Sequence, residues 1–335
     1  MLEHGGNLNL ATKQYGIPLE NWLDLSTGIN PNNYPASTIP ASIWQKLPTE
    51  DDGLIEIARA YYDCTSLLPT AGSQAALQIL PQLRPPCNVA ILSPMYKEHA
   101  HAWQRYGHRI SSFSCLADLS VNNMDIVLLC NPNNPTAELF LPHDLLKLHK
   151  ELASRGGWLI VDEAFMDATP ELSISRHTHL EGLFVLRSLG KFFGLAGARV
   201  GFLLASQLQL KQAQEILGPW PITGPSRHIA KLALSDRSWQ KNTRFQLMEN
   251  SQRLAMRLNH YHITPKAGTA LFQYAPMQQA DILQQHLAKH GILVRLFTEI
   301  PALRFGLPTA EGWNKLENAL ETFQYSKIND SRNEL

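Results

Sequence analysis

In the stretch Ser188 to Phe202, SLGKFFGLAGARVGF, one lysine sits among small and apolar residues, and an arginine follows eight positions later. A buried ammonium without a partner is costly, so Lys191 must reach water, pair with a carboxylate or react. Three further distinctive groups precede it: Tyr96 in PMYKEH, Asn134 in NPNNPT and Asp162 in VDEAF. A lysine that condenses with an aldehyde needs its neutral amine, which a free lysine supplies about once in a few thousand molecules at neutral pH. Low polarity around Lys191 favours that neutral form. A carboxylate such as Asp162 can keep a pyridine nitrogen protonated, so that the ring draws electrons from a bond at a substrate α-carbon. The turn of Gly72 and Ser73 in AGSQAALQIL runs into helix-forming sequence and offers backbone donors to a phosphate. Ser188 adds a hydroxyl and Arg199 a planar charged fork. Tyr96 offers a face for stacking on such a ring, and Asn134 an amide for its phenolic oxygen.

These residues need a frame that brings them to one place. The runs VAILSP (89–94), DIVLLCNP (125–132), WLIVDEA (158–164), LFVLRSL (183–189) and RVGFLLA (199–205) are continuously apolar, as strands covered on both faces are. Helix-like segments separate them; in HDLLKLHKELASRGG, Leu145, Leu148 and Leu152 recur at helical spacing and a glycine pair closes the run. The alternation predicts an α/β fold with a large, doubly wound, mainly parallel sheet. Ligands of such sheets bind beyond the carboxyl ends of the strands, where Tyr96, Asn131 to Asn134, Asp162 and Lys191 all fall. After about residue 240 the texture changes to a helical NSQRLAMRLNHY, short strands LFQYA and ILVRLF, and a terminal helix around GWNKLENALETF. We read a large domain over 42–235 and a smaller α+β domain from 1–41 and 236–330, with the polar tail YSKINDSRNEL frayed.

Bulk properties exclude several classes. The 335 residues carry 29 Lys and Arg against 29 Asp and Glu, dispersed, so no basic stripe points to nucleic acid or an anionic membrane. No apolar run approaches a membrane span, and the amino end lacks a basic leader and an apolar h-region, which predicts a cytoplasmic protein. The four cysteines lack metal or redox spacing and read as buried thiols. No metal-ligand spacing occurs among the histidines, and His99 and His228 read as ordinary polar residues.

Taken singly, each distinctive group has an ordinary reading: a snorkelling lysine, an acidic pair opening a helix, a turn. Together, NPNNPT, then VDEAF, then S-x-x-K with its arginine, are similar to the pyridoxal-phosphate enzymes of fold type I, in the aminotransferase class I/II group. The resemblance covers nearly the whole chain. It implies pyridoxal 5'-phosphate bound through Lys191, with Asp162 on the ring nitrogen, Asn134 on the ring oxygen and Tyr96 on the ring face. Gly72, Ser73, Ser188 and Arg199 would form the phosphate cup, and Arg304 in LRFGLP would clamp the substrate carboxylate. A homodimer is implied as well.

The amino end narrows the likeness. HGGN at 4–7 and LDLSTGINP at 23–31 resemble the threonine-phosphate decarboxylases of cobalamin biosynthesis, relatives of the histidinol-phosphate aminotransferases. That branch turns O-phospho-L-threonine into (R)-1-amino-2-propanol O-phosphate. His4, Gly5 and Gly28 would then lie near the substrate phosphate, Asn134 near the substrate, and Arg295 in ILVRLF would be the second substrate arginine. Leu47, Ala137, Phe165 and Gly190 depart from the wider pattern, which has tyrosine, glycine, tyrosine and serine or threonine there. Two other functions stay open at this point: an aminotransferase of phosphorylated amino acids, and a non-catalytic binding protein that keeps the fold.

Overall fold

The structure, a computed structural model, describes residues 4–36 and 38–333. In chain order its strands are β1 Leu23–Asp24, β2 Leu67–Thr70, β3 Asn88–Leu92, β4 Arg109–Phe113, β5 Ile126–Cys130, β6 Trp158–Asp162 and β7 Leu183–Ser188, followed by β8 Gly201–Leu204, β9 Ala267–Thr269, β10 Phe272–Pro276, β11 Ile292–Leu293, β12 Arg295–Phe297 and β13 Ala302–Gly306. Two compact units emerge, Asn33–Thr243 and Met1–Asn32 with Arg244–Leu335.

The larger unit is built on one seven-stranded sheet in the order β2-β8-β7-β6-β5-β3-β4. The five runs of continuous apolarity became β3, β5, β6, β7 and β8, and β5 to β7 are buried almost throughout. β3 to β7 pair in parallel. β8 is antiparallel to both β7 and β2, so β2 runs with the parallel set. The segment between β7 and β8 carries only a short 3-10 turn, Ala196–Ala198, and no crossover helix, so the chain re-enters the sheet in the opposite sense. The helix Pro142–Ala153 buries Leu145, Leu148 and Leu152, and Gly156 beyond it takes φ +74°. The fold is therefore the expected α/β sheet, mixed at one edge.

The smaller unit carries an antiparallel sheet in the order β12-β13-β10-β9 and a parallel pair β1-β11. The run ILVRLF is not one strand: Val294 separates β11 from β12, and each half joins a different sheet. The tail is not frayed over the described residues, since the last helix runs Gly312–Asn333; no proline or glycine interrupts it. Among the cysteines only Cys130 is buried; Cys64, Cys87 and Cys115 are half-buried thiols, which corrects the expectation of four buried ones. No described helix is long and apolar enough to cross a membrane.

β6 and β7 are tied together by more than their ladder. Arg187, 1% exposed, donates from Nη1 to Glu163 Oε2 at 2.5 Å and from Nη2 to Asp167 Oδ1 at 2.7 Å, and its guanidinium lies 4.6 Å from the Tyr62 ring centroid. Burial works against the Arg187 charge, yet Asp167 and Glu163 hold its pKa above the usual range; burial also pushes the Glu163 carboxyl up. Glu163 accepts further bonds from Ser173 Oγ and the Ile174 N–H. Replacing Arg187 by Met strands two buried carboxylates. The variant should lose about 3–5 kcal/mol of stability, read from urea midpoints; an unshifted midpoint would show that the ion triad does not hold the strands.

Candidate active site

The sheet delivers its chemistry at one edge. β6 ends on Asp162, β7 ends on Ser188 three residues before Lys191, β3 leads to Tyr96, and β5 leads to Asn134. β2 leads to Gly72, and Arg199 precedes β8, whose first residue pairs with Ser188 at the same edge. Parallel strands with their carboxyl ends together make this convergence a property of topology.

Asp162 is 7% exposed, and both its oxygens are engaged. Oδ1 accepts the Ala164 N–H at 3.0 Å, and Oδ2 lies 2.9 Å from His99 Nε2. His99 is itself buried, its Nδ1 has no hydrogen-bond partner, and a carboxylate can only accept from its Nε2. The ring thus acts as a donor that fixes the carboxylate. His99 was read as an ordinary polar residue, and this is the correction. The available signal was its place one helical turn from Tyr96, in the helix Glu98–Arg105 that follows β3.

Tyr96 stands edge-on to His99, ring centroids 6.0 Å apart, and its hydroxyl donates to Gln74 Oε1 at 3.2 Å. Burial, with the nearby Glu98 and Asp162 charges, raises its phenol to about 12, so it remains a donor at neutral pH. Gln74 was missed by sequence reading; it lies one residue past Ser73 and also approaches Glu98. Behind this group the Cys130 thiol meets the backbone N–H of Tyr96 and of Asn134. Burial and the Asp162 charge push Cys130 well up. His99, Cys130 and Asp162 put one donor atom each within 4.8 Å of one another, a proximity invisible in sequence spacing. A thiol held protonated is a poor metal ligand, and His99 Nε2 is already directed at Asp162.

Asn131 and Asn133 pin the loop that carries Asn134. Asn131 exchanges side-chain bonds with the Phe140 backbone, and Asn133 Nδ2 donates to Pro94 O and Thr136 Oγ1. Ala137, which stands where the wider pattern has glycine, takes φ +59°, a conformation that costs a β-carbon roughly 1–2 kcal/mol. Lys191 is half-buried with Nζ 5.2 Å from the Phe165 ring centroid.

The anion-binding groups also converge. A Cβ on Gly72, at φ +74°, would overlap the Arg199 guanidinium, and a Cβ on Gly201 would overlap the Ser73 backbone nitrogen. Both glycines therefore make room for charged and N–H donors to crowd one spot. Ser188 Oγ accepts the Gly190 N–H at 3.2 Å. A ring with a protonated nitrogen and a phosphate fits this set: an anchored buried carboxylate for the nitrogen, and a glycine-lined cradle of cations and N–H groups for the phosphate.

The substrate candidates lie in the smaller unit, each described there. Arg295 and Arg304 are directly opposite each other on β12 and β13. Arg304 is buried, and burial with the like charge of Arg295 brings it down to about 10, which leaves it cationic at neutral pH. Its Nη2 donates to Ser26 O at 2.5 Å. Gly5 packs on Ser26, Gly28 takes φ +61°, and His4 is exposed.

The aminotransferase class I and II family model matches residues 55–322. Over 326 residues the chain is 47% identical to threonine-phosphate decarboxylase of Pseudomonas aeruginosa, covering 97% of this chain and 98% of that one. Among solved structures, L-threonine-O-3-phosphate decarboxylase from Porphyromonas gingivalis superposes with a TM-score of 0.80 at 20% identity, over 90% of this chain and 99% of that one. Histidinol-phosphate aminotransferase from Sinorhizobium meliloti, solved in complex with pyridoxal-5'-phosphate, gives 0.78 at 18% identity over 96% of each chain.

Gly72→Ala places a methyl group against Arg199 in a strained backbone conformation. It should weaken cofactor retention by about tenfold or more, followed as loss of bound-cofactor absorbance on dialysis; parental retention would remove Gly72 from the phosphate cradle.

Proposed function

The chain belongs to the aminotransferase class I and II family, and on that footing we propose that it is a pyridoxal-phosphate-dependent decarboxylase of O-phospho-L-threonine. The product is (R)-1-amino-2-propanol O-phosphate, the step that the sequence resemblance ties to cobalamin biosynthesis. The full-length likeness to the Pseudomonas aeruginosa enzyme carries this reading. It separates the chain from the histidinol-phosphate aminotransferases, which match it over a smaller share of its length in sequence.

When bound, pyridoxal 5'-phosphate supplies an electron sink for the pair released as the carboxylate leaves. The chain does the rest. Lys191 Nζ is the amine that holds the cofactor aldehyde and returns a proton to the substrate α-carbon. Asp162 keeps the ring nitrogen protonated, and His99 with the Ala164 N–H keeps Asp162 in place. Tyr96 would cover the ring face and Asn134 would donate to the ring oxygen, a contact to which Phe165, lacking a hydroxyl, could add nothing. Gly72, Ser73, Ser188 and Arg199 take the cofactor phosphate.

Arg304 takes the substrate carboxylate, while Arg295 with His4, Gly5 and Gly28 takes the substrate phosphate. A substrate gripped at two anionic ends loses rotation about its α-carbon. Held at both ends, the substrate would present its carboxylate rather than its α-hydrogen for release. We further propose a cytoplasmic homodimer; the four free thiols suit a reducing compartment.

Carbon dioxide release from O-phosphothreonine, measured without any oxo-acid acceptor, tests the reaction. We expect turnover in the parent, a loss of about a thousandfold or more in Lys191→Ala at unchanged stability, and about a hundredfold or more in Asp162→Asn. Conversion to the pyridoxamine form with no carbon dioxide would establish an aminotransferase instead.

A further inference from the structure

The HGGN segment meets Ser26, which is 1% exposed. Four hydrogen bonds converge on it. Its N–H and its hydroxyl both donate to Asp24 Oδ1, at 2.8 and 2.6 Å. The hydroxyl oxygen accepts the Gly6 N–H at 2.7 Å, and the carbonyl oxygen accepts Arg304 Nη2 at 2.5 Å.

The same segment is threaded between the arginine-bearing strands. The Leu25 N–H donates to Leu293 O at 2.8 Å, one residue past the end of the β1-β11 ladder, and Leu25 O accepts the Gly306 N–H at 2.7 Å at the end of β13. Leu25 and Ser26 thus bridge the strand before Arg295 and the strand that carries Arg304.

The two glycines of HGGN answer to this arrangement. A Cβ on Gly5 would overlap the Ser26 carbonyl oxygen, the atom that Arg304 uses. Gly6 takes φ +83° while its N–H points at the Ser26 hydroxyl. Asp24 in turn polarises that hydroxyl: by accepting its proton in a charge-assisted bond, it leaves the oxygen lone pairs directed at the Gly6 amide. Asp24 is also the carboxylate whose charge favours the cationic form of Arg304.

We propose that Ser26 is a positioning residue for the substrate phosphate: it locks HGGN and the Arg304 guanidinium to a common carbonyl–hydroxyl pair, so that the two anion-recognising elements hold a fixed spacing. This rests on the reading of His4, Gly5 and Arg304 as the groups that meet the acid ends of O-phosphothreonine. A substrate with two anionic ends is sensitive to that spacing, because a misplaced segment still binds the carboxylate but meets the phosphate poorly.

Two variants of the holoenzyme test the lock from opposite sides. Ser26→Ala removes the hydroxyl and keeps the carbonyl for Arg304; Gly5→Ala keeps Ser26 intact and drives HGGN off it. In both, amide exchange at Gly6 should speed up by about tenfold or more. The KM for O-phosphothreonine should rise by about tenfold while kcat changes by less than about threefold. The bound-cofactor spectrum should match the parent. Unaltered Gly6 exchange in Ser26→Ala overturns the lock. Faster exchange with a KM within about twofold of the parent, or a loss confined to kcat, overturns the positioning role and leaves Ser26 as scaffold. Failure of the activity reading is recognised separately, as absence of carbon dioxide release from the parent before any variant is made.

Discussion

A buried carboxylate is the constraint around which the larger unit is organised. Asp162 ends a strand that is covered on both faces, where an unpaired charge would be expelled or neutralised. Its two oxygens are satisfied by one backbone N–H and one imidazole. A protonated ring nitrogen brought from outside is a cation that such an anchored carboxylate can pair with. The pair of Asp162 and His99 therefore sets what can dock here. The high-pKa groups beside it, Tyr96 and Cys130, stay protonated and add no competing anion.

Holding that carboxylate relative to Lys191 is a matter of two neighbouring strands. Asp162 is in register with Leu186, and the residues that follow them, Glu163 just past the end of β6 and Arg187 on β7, enter the buried ion triad with Asp167. Ladder bonds fix the strand separation, and the triad resists sliding or fraying at the end where the ladder stops. On the far side of β7, Gly201 lets β8 lie against the Gly72–Ser73 turn. Successive contacts from β6 to β2 thus share one rigid edge, and the candidate groups inherit their spacing from it. Arginine is suited to the triad because its planar fork meets two carboxylates at once.

The strands that carry this edge were legible because burial on both faces leaves continuous apolar runs. Two strands were not. β4, RISSF, is an edge strand with mostly exposed or half-buried side chains, and β2, LLPT, is four residues long and contains a proline. Proline is tolerated in β2 because it lies at the sheet edge. The antiparallel sense of β8 was also hidden, since apolarity reports burial and not direction. At the site, residues with unusual chemistry for their context stood out: a lysine among apolar residues, an asparagine-rich turn, a carboxylate closing an apolar run. Supporting residues did not. His99, Gln74 and Arg187 are ordinary in type, and each acts through partners between 20 and 63 positions away.

The smaller unit shows the same limit in sharper form. HGGN reads as a flexible, glycine-rich end, and glycine in a loop is commonly a sign of freedom. Here both glycines serve close approach: one lacks a Cβ because a carbonyl occupies that space, and the other supplies a positive φ that turns its amide onto a hydroxyl. The segment's backbone thereby lies in direct contact with Ser26. Arg304 donates to the Ser26 carbonyl, so the backbone that HGGN packs on also orients a buried guanidinium.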